Sequence, residues 1–330
     1  MRAVLKVILG IIPLCLLLGI ALVLFYLQPV TSSGVVDVNI PKGSSLKNVS
    51  KILQDSGVIK NAIAFEIFVR IKGEDRGIKA GLYELQLPIL PSDLLKKLVK
   101  GDVKLIRITI PEGLTIKDMD ALLADRKIIE RGELIRLGDS PDFARQKGVE
   151  ANSLEGFLFP DTYLIKYNVT VEELVDVMLK RFWDVFDSNL KKEAADKNMS
   201  VLEVVTLASL IEKETAVGGE RPLISAVFHS RLKLGMKLQS DPTVIYGLDN
   251  FDGNLTKDDL KNPHPYNTYV NNGLPPGPIC NPGKASIIAA LRPADVNYLY
   301  FVSKGDGTHY FSSEHSEHWQ AVLKYQKHRY

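Results

Sequence analysis

"VNIPKGSSLKNVSKILQDSGVIKNAIAFEIF", residues 38–68, and "ITIPEGLTIKDMDALLADRKIIERGELIRL", residues 108–137, align without a gap at a spacing of seventy. Ile40, Pro41, Gly43, Lys47, Leu53, Asp55 and Ile59 recur as Ile110, Pro111, Gly113, Lys117, Leu123, Asp125 and Ile129. In each copy a β-rich stub stops at proline, glycine allows a turn, and Ser or Thr opens an amphipathic helix. The apolar face is Leu46, Val49, Ile52 and Leu53 in the first copy, and Ile116, Met119, Leu122 and Leu123 in the second. A second helix follows each, Ala62 to Ile71 and Gly132 to Leu137. "AGLYELQ", residues 80–86, closes the first copy as a returning strand. The pattern predicts an α+β chain that opens its folded part with strand-helix-helix-strand.

That first unit resembles the LysM fold of cell-wall glycan binders, although a short βαα repeat is also generic packing and fold does not dictate function. The expected organisation is a cytoplasmic tip and anchor over residues 1–30, a LysM-like βααβ subdomain over 31–105, and a mixed α/β domain over 106–330. The second copy of the repeat occupies 106–150 of that last domain.

Upstream of the repeat, "VILGIIPLCLLLGIALVLFYL" runs from Val7 to Leu27 without a charge. At 1.5 Å per residue it is long enough for the ~30 Å hydrocarbon core. Pro13 is tolerable inside such a helix. Arg2 and Lys6 precede the run and no Lys or Arg follows until Lys42. The positive-inside rule then predicts a single-pass helix in the cytoplasmic (inner) membrane, N-terminus in the cytoplasm and the rest outside. A cleaved signal peptide is the rival reading, but its apolar core is normally shorter and ends in small residues, unlike "LFYLQPV". Cys15 and Cys280 are the only cysteines, so the exported part can form no internal disulfide.

The composition excludes several classes. The chain of 330 residues is 45% hydrophobic and 24% charged, which is globular, and its formal net charge of +2 argues against a nucleic-acid binder. No basic stripe interleaved with aromatics, no Gly-rich phosphate loop and no G-x-S-x-G elbow is present. His315 and His318 are spaced to share a helix face with His309 nearby. No cysteine and no H-E-x-x-H accompanies them, so no metal and no cofactor is expected.

Downstream, helix-like segments run from Thr170 to Lys197, Ser200 to Thr215, Pro222 to Leu234 and Ser316 to His328. "NYLYFVSK" (297–304) and "HYFSS" (309–313) read as strands joined by "GDGT". Between them lie "SDPTVIYG" and "NPHPYNTYVNNGLPPGPICNPG", a loop-rich stretch of the kind that is usually functional or disordered. Its tyrosines argue against disorder.

"LASLIEKETA", residues 207–216, places two glutamates on one helix. With Leu207 at zero on a helical wheel, Glu214 falls at about 340° and Glu212 at about 140°, on opposite edges of the apolar arc. Either carboxyl is placed for partial desolvation, which raises a pKa and keeps an acid protonated. The wheel does not choose between them, and an ordinary exposed helix end fits the same residues.

Taken with "EGFLFPDTY" (155–163), "LQSDPTVIYG" (238–247), "YNTY" (266–269) and "GLPPGPICNPG" (273–283), the stretch resembles the endolytic murein transglycosylase (MltG, or YceG-like) family over essentially the whole chain. The resemblance implies a lytic transglycosylase with Glu214 as its catalytic residue, acting first as general acid and then as general base. Such an enzyme cuts the bond between N-acetylmuramic acid and N-acetylglucosamine without water and leaves a 1,6-anhydro end. Gln239, Ser240, Asp241, Asn267 and Thr268 are then candidate contacts to sugar hydroxyls and acetamido groups, with Tyr266 or Tyr269 under a pyranose face. Asp161 is a candidate to orient Glu214 or merely to cap a turn. Partners implied are peptidoglycan glycan strands and membrane peptidoglycan synthases. Two alternatives stay open: a non-catalytic glycan-binding scaffold, and a muramidase that pairs Glu214 with Asp161 or Asp241 and uses water.

Overall fold

Both copies of the repeat begin their first helix by the same chemistry. In helix α1 (Leu46–Asp55) the Ser45 side chain accepts from the Asn48 amide. In a helix of the second copy (Ile116–Asp125) Thr115 and Asp118 form a reciprocal capping box. Each such cap satisfies amides that the helix leaves unpaired and contributes about 1 kcal/mol. Gly43 and Gly113, in the preceding turns, share a left-handed backbone with φ of 77° and 78°. Glycine reaches that region without the Cβ penalty.

The computed structural model describes residues 17–326. Among them the chain divides into two compact units. One ends at Arg107 and takes back the segment Leu164–Val169; the other comprises Ile108–Tyr163 and Thr170–Tyr330. Residues 17–26 are helical. Among the described residues no helix is long and apolar enough to cross a membrane. The expected span Val7–Leu27 begins outside the described residues.

The first unit follows the order read from its repeat. Strand β1 (Gly34–Ile40) is followed by α1, α2 (Ala62–Ile71), β2 (Gly81–Leu87) and a further helix, α3 (Pro91–Lys100). β1 and β2 pair antiparallel from Gly34↔Leu87 to Ile40↔Gly81. Alternate side chains point inward, so Val38, Ile40, Tyr83 and Leu85 meet Val49, Leu53, Phe65, Val69, Leu94 and Leu98 in one core. Each such burial contributes about 1.5–3 kcal/mol. The one buried hydroxyl of this group, on Tyr83, donates to the carbonyls of Lys79 and Leu98 at 2.6 and 3.2 Å.

The second copy continues as β3 (Leu105–Thr109), α4 (Ile116–Asp125), α5 (Glu133–Gly138) and α6 (Pro141–Gln146). It too has a returning strand, β4 (Thr162–Lys166), which pairs with β3. The intervening "EGFLFPDTY" motif delays that strand, so the regular spacing of the first copy does not reveal it.

The remainder of the second unit is mainly helical. The expected helix from Thr170 to Lys197 is two, α7 (Val171–Val185) and α8 (Ser188–Asp196). Asp187 breaks the run by capping α8, its carboxylate accepting from the amides of Asn189 and Leu190. Then come α9 (Val201–Glu214), α10 (Arg221–Lys233), α11 (Asp241–Tyr246), α12 (Lys284–Leu291), the hairpin β5 (Tyr300–Ser303) and β6 (His309–Ser312), and α13 (His315–Tyr325). Helix α9 packs on α12, α10 and α11 and is nearly enclosed, with Val204 to Ile211 buried without a break. That enclosure fixes where its last turn points.

Candidate active site

Helix α9 is held at both ends. Ser200 and Glu203 form its capping box, and Thr215, in extended conformation, stops it. Glu214 is therefore its last residue, at the end where unpaired carbonyls disfavour a negative charge. The side chain of Glu214 lines an open cleft of about 360 Å³, together with Arg231, Gln239, Asp241, Tyr269, His309 and His318. It also lines a second opening of about 390 Å³ with Glu112, Gly113, Leu114 and Glu212. Glu214 thus borders both openings.

Burial pushes Glu214 up to about 7. The Ser240 hydroxyl, which donates to Glu214 Oε1 at 2.5 Å, pulls the other way. The negative charge of Asp241 adds to the rise and Arg231 opposes it. Near neutral pH such a group holds a proton and can release it, as a general acid requires.

Glu212 has different partners. Its carboxylate accepts from the Gly283 amide at 3.0 Å and faces Arg221 Nη2 at 3.4 Å. Arg221 Nε in turn donates to Ser286 Oγ at 3.0 Å. The Glu212 side chain is only 7% exposed and joins α9 to the starts of α10 and α12.

Gln239, Ser240 and Asp241 reach the cleft on a strained turn. Gln239 has φ of +51°, which is uncommon for a residue with a side chain. Thr268 holds this turn in place. Its carbonyl accepts from the Gln239 amide at 3.2 Å, and its Oγ1 accepts from the Ser240 amide at 3.0 Å. Thr243 Oγ1 donates to the Ser240 carbonyl at 2.6 Å and lies 2.9 Å from Thr268 Oγ1. Tyr269 donates its hydroxyl to Asp241 Oδ1 at 2.6 Å. Thr268 therefore shapes the site from beneath and does not face substrate.

Two of the expected substrate contacts do not line this cleft. Asn267 is 1% exposed. Its Nδ2 donates to the carbonyls of Asn262 and Leu260, at 2.7 and 3.1 Å, and its Oδ1 accepts from the Tyr269 amide at 2.8 Å. All its polar capacity goes to folding the loop. Tyr266 packs its ring on Tyr246, centroids 4.9 Å apart, and on His264. Asp161 is likewise elsewhere, paired with Arg181 Nε at 2.6 Å and accepting from the Thr162 amide.

The structure adds residues to the site that the sequence does not single out. Arg231, 7% exposed, donates through Nε to the Leu299 carbonyl and through Nη1 to the Leu238 carbonyl, both at 2.7 Å. It thereby ties the wall of the cleft to α10 while facing Glu214. His309 is oriented by Glu220, whose two carboxylate oxygens take its amide at 2.8 Å and its Nδ1 at 2.7 Å. An arginine near a helix end reads as a surface charge, and His309 stands out in sequence only as one of several histidines.

Another buried carboxyl, Glu155 of "EGFLFPDTY", joins α4, α11 and the 273–283 loop. It accepts from the Ile116 amide, from Asn281 Nδ2 at 2.7 Å and from the Tyr246 hydroxyl at 3.4 Å. Burial raises it to about 8. Asn281 also donates to the Leu114 carbonyl and accepts from the Leu158 amide. Four of the sequence motifs therefore converge through hydrogen bonds: 155–163 on 273–283, and 238–247 on 266–269.

The sequence model of the YceG-like family matches residues 38–324, which is most of the chain and includes Glu214, Arg231, Gln239, Asp241, Tyr269, His309 and His318 of the cleft. The chain belongs to the YceG-like family. Among YceG-like relatives, the endolytic murein transglycosylase of Bacillus subtilis (strain 168) is 35% identical over 91% of this chain and 88% of its own. That of Streptococcus pneumoniae serotype 2 is 32% identical over 93% of this chain, which spans 62% of that longer protein. A crystal structure of a YceG-like protein from Listeria monocytogenes is 35% identical and covers 87% of this chain and 98% of its own, with a TM-score of 0.60.

Proposed function

We propose that this YceG-like chain is a lytic transglycosylase that cleaves peptidoglycan within the glycan strand, with Glu214 as the single acid-base group. The observation that carries the reading is Glu214 bordering two open grooves, with burial pushing its carboxyl up to about 7. An internal cut needs room for sugar on both sides of the scissile bond. The curated relatives named endolytic murein transglycosylase support the same substrate class.

Ordinary glycoside hydrolysis divides its work between two carboxyl groups. Here one suffices, because the nucleophile is carried by the sugar. Glu214 gives its proton to the glycosidic oxygen between N-acetylmuramic acid and N-acetylglucosamine as that bond breaks. The resulting carboxylate keeps the Ser240 hydrogen bond and the nearby charge of Arg231. It then takes the proton of the muramic 6-hydroxyl as that oxygen bonds to C1, closing the 1,6-anhydro ring and restoring the acid. Tethering replaces the activation a second carboxylate would supply. Gln239, Asp241 and Tyr269 line the groove as sugar contacts.

The apolar stretch Val7–Leu27 anchors the enzyme in the cytoplasmic membrane with its folded part outside, which confines cleavage to strands being made beside membrane peptidoglycan synthases. The first unit serves as a LysM-like glycan contact. Digestion of purified, peptide-bearing glycan by the full chain tests the enzymatic core of this reading. Anhydro-muramic ends with the natural chain and none with Glu214→Gln are expected. Equal product from both proteins, or no cleavage by either, contradicts it.

A further inference from the structure

The first unit carries an apolar face on α2. Ile63 and Ile71 are 69% and 77% exposed, and Ile67 is 38% exposed. Their spacing of four places them on one stripe of the helix. A single exposed isoleucine needs no explanation, whereas an aligned set beside an apolar groove does. That groove, about 490 Å³, lies between α2 and α3. Phe68, Leu95 and Val99 line it together with Lys72, Lys96, Lys100 and one acidic residue, Glu74, and Lys96 Nζ also pairs with Asp93 at 3.1 Å.

Charge singles out the same unit. Residues 31–107 hold thirteen lysines and arginines against eight acidic residues, a net +5, whereas residues 108–330 hold twenty-six against thirty-one, a net −5. The near-neutral whole hides a basic first part.

The apolar N-terminal stretch ends at the start of α2. Tyr26, Leu27, Gln28 and Pro29 share a crease with Val58, Ile59, Asn61 and Phe65, at the start of α2. Lys60 Nζ lies 5.5 Å from the centre of the Phe25 ring. A bilayer that holds the stretch before Leu27 therefore ends beside the first turn of α2.

We propose that α2 and the groove it shares with α3 form a membrane-docking face. Ile63, Ile67 and Ile71 sit in the boundary between headgroups and acyl chains, as apolar faces of interfacial helices do. Lys72, Lys96 and Lys100 bind anionic phospholipid headgroups, an attraction that reaches about one Debye length. The docking rests on the membrane anchor of the preceding section and extends it. The anchor only tethers the first unit, whereas this face orients it flat on the bilayer.

The test uses the full chain with Cys15→Ser, a fluorophore on Ile67→Cys, and vesicles containing brominated lipid. In vesicles of mixed phosphatidylglycerol and phosphatidylcholine, quenching at position 67 should exceed that of a label at Lys47→Cys several-fold. It should fall in phosphatidylcholine alone and be lost when Ile63→Glu and Ile71→Glu are added, with cleavage of soluble glycan unchanged. An unquenched label on a chain that floats with the vesicles overturns the docking. So does a label signal that changes with protein density but not with brominated lipid, which would assign the face to a second copy. Failure to float overturns docking and anchor together. Intact quenching without glycan cleavage refutes only the enzymatic reading.

Discussion

The Ser240 hydroxyl donates to Glu214 Oε1 across 2.5 Å, joining the end of one helix to a turn 26 residues further on. This bond favours the ionised carboxylate, whereas burial and Asp241 favour the neutral acid. The balance leaves Glu214 at about 7, where it can both give and take a proton.

The pH dependence of cleavage follows from that balance. The rate kcat/KM should fall as pH rises through about 7, because the general acid must start protonated. Ser240→Ala removes a bond to the carboxylate and should move the falling limb to higher pH. Asp241→Asn removes a like charge and should move it to lower pH. Rate profiles of the two variants shifting in the same direction would contradict this account of the site.

Stability should also depend on pH through Glu155. Its pKa is about 8 in the fold against 4.5 unperturbed, so the native state holds that proton more tightly than the unfolded chain. The stabilisation is complete below about pH 4.5 and is lost as pH rises towards 8. The loss is on the order of 5 kcal/mol. Urea unfolding of Glu155→Gln should show a shallower decline between about pH 5 and 8 than the natural chain, since Gln carries no titrating proton.

Gly156 is a packing constraint of the same motif. Its φ is +88°, and a Cβ built there would lie 2.5 Å from Pro278 Cγ and 2.7 Å from Val205 Cγ1. Gly156→Ala combines backbone strain with overpacking against groups that cannot swing aside, and should cost about 2–4 kcal/mol. A calorimetric Tm within a degree or so of the natural protein would refute the contact.

Gln239 and Asn267 should separate on mutation although both come from loop motifs. Gln239→Ala changes the cleft wall but keeps the Cβ that strains the turn, so it should raise KM with little change in stability. Asn267→Ala leaves buried loop groups unpaired and should cost about 1–3 kcal/mol for each. Unfolding curves measured beside the kinetics distinguish the two.

The fold was legible wherever local chemistry and periodicity agreed. Ser200 with Glu203, and Thr115 with Asp118, mark helix starts that the structure keeps. The βααβ order of the first unit follows from Pro41, Gly43 and the apolar spacing. Helix α3 is absent from the expectations although Pro91 and left-handed Gly101 delimit it. Helix α12 offers less signal, because "KASIIAAL" is apolar on several sides and shows no clear stripe.

The candidate site was legible less evenly. The proposal of Glu214 follows from a family resemblance, and local periodicity alone leaves it level with Glu212. What separates them is tertiary: Gly283 and Arg221 occupy Glu212, and Ser240 meets Glu214. Arg231, His309 and the loop role of Asn267 depend on partners between 5 and 89 residues away, which no local pattern records.

The most direct measurement is digestion of purified glycan by the full chain in water enriched in heavy oxygen, followed by mass spectrometry of the muramic ends. With Glu214 shuttling one proton and the sugar supplying its own nucleophile, every new end should be anhydro and free of solvent oxygen. Reducing muramic ends that carry the heavy isotope would mean that water attacks, with Asp241 as the second carboxylate, and would contradict the single-acid mechanism.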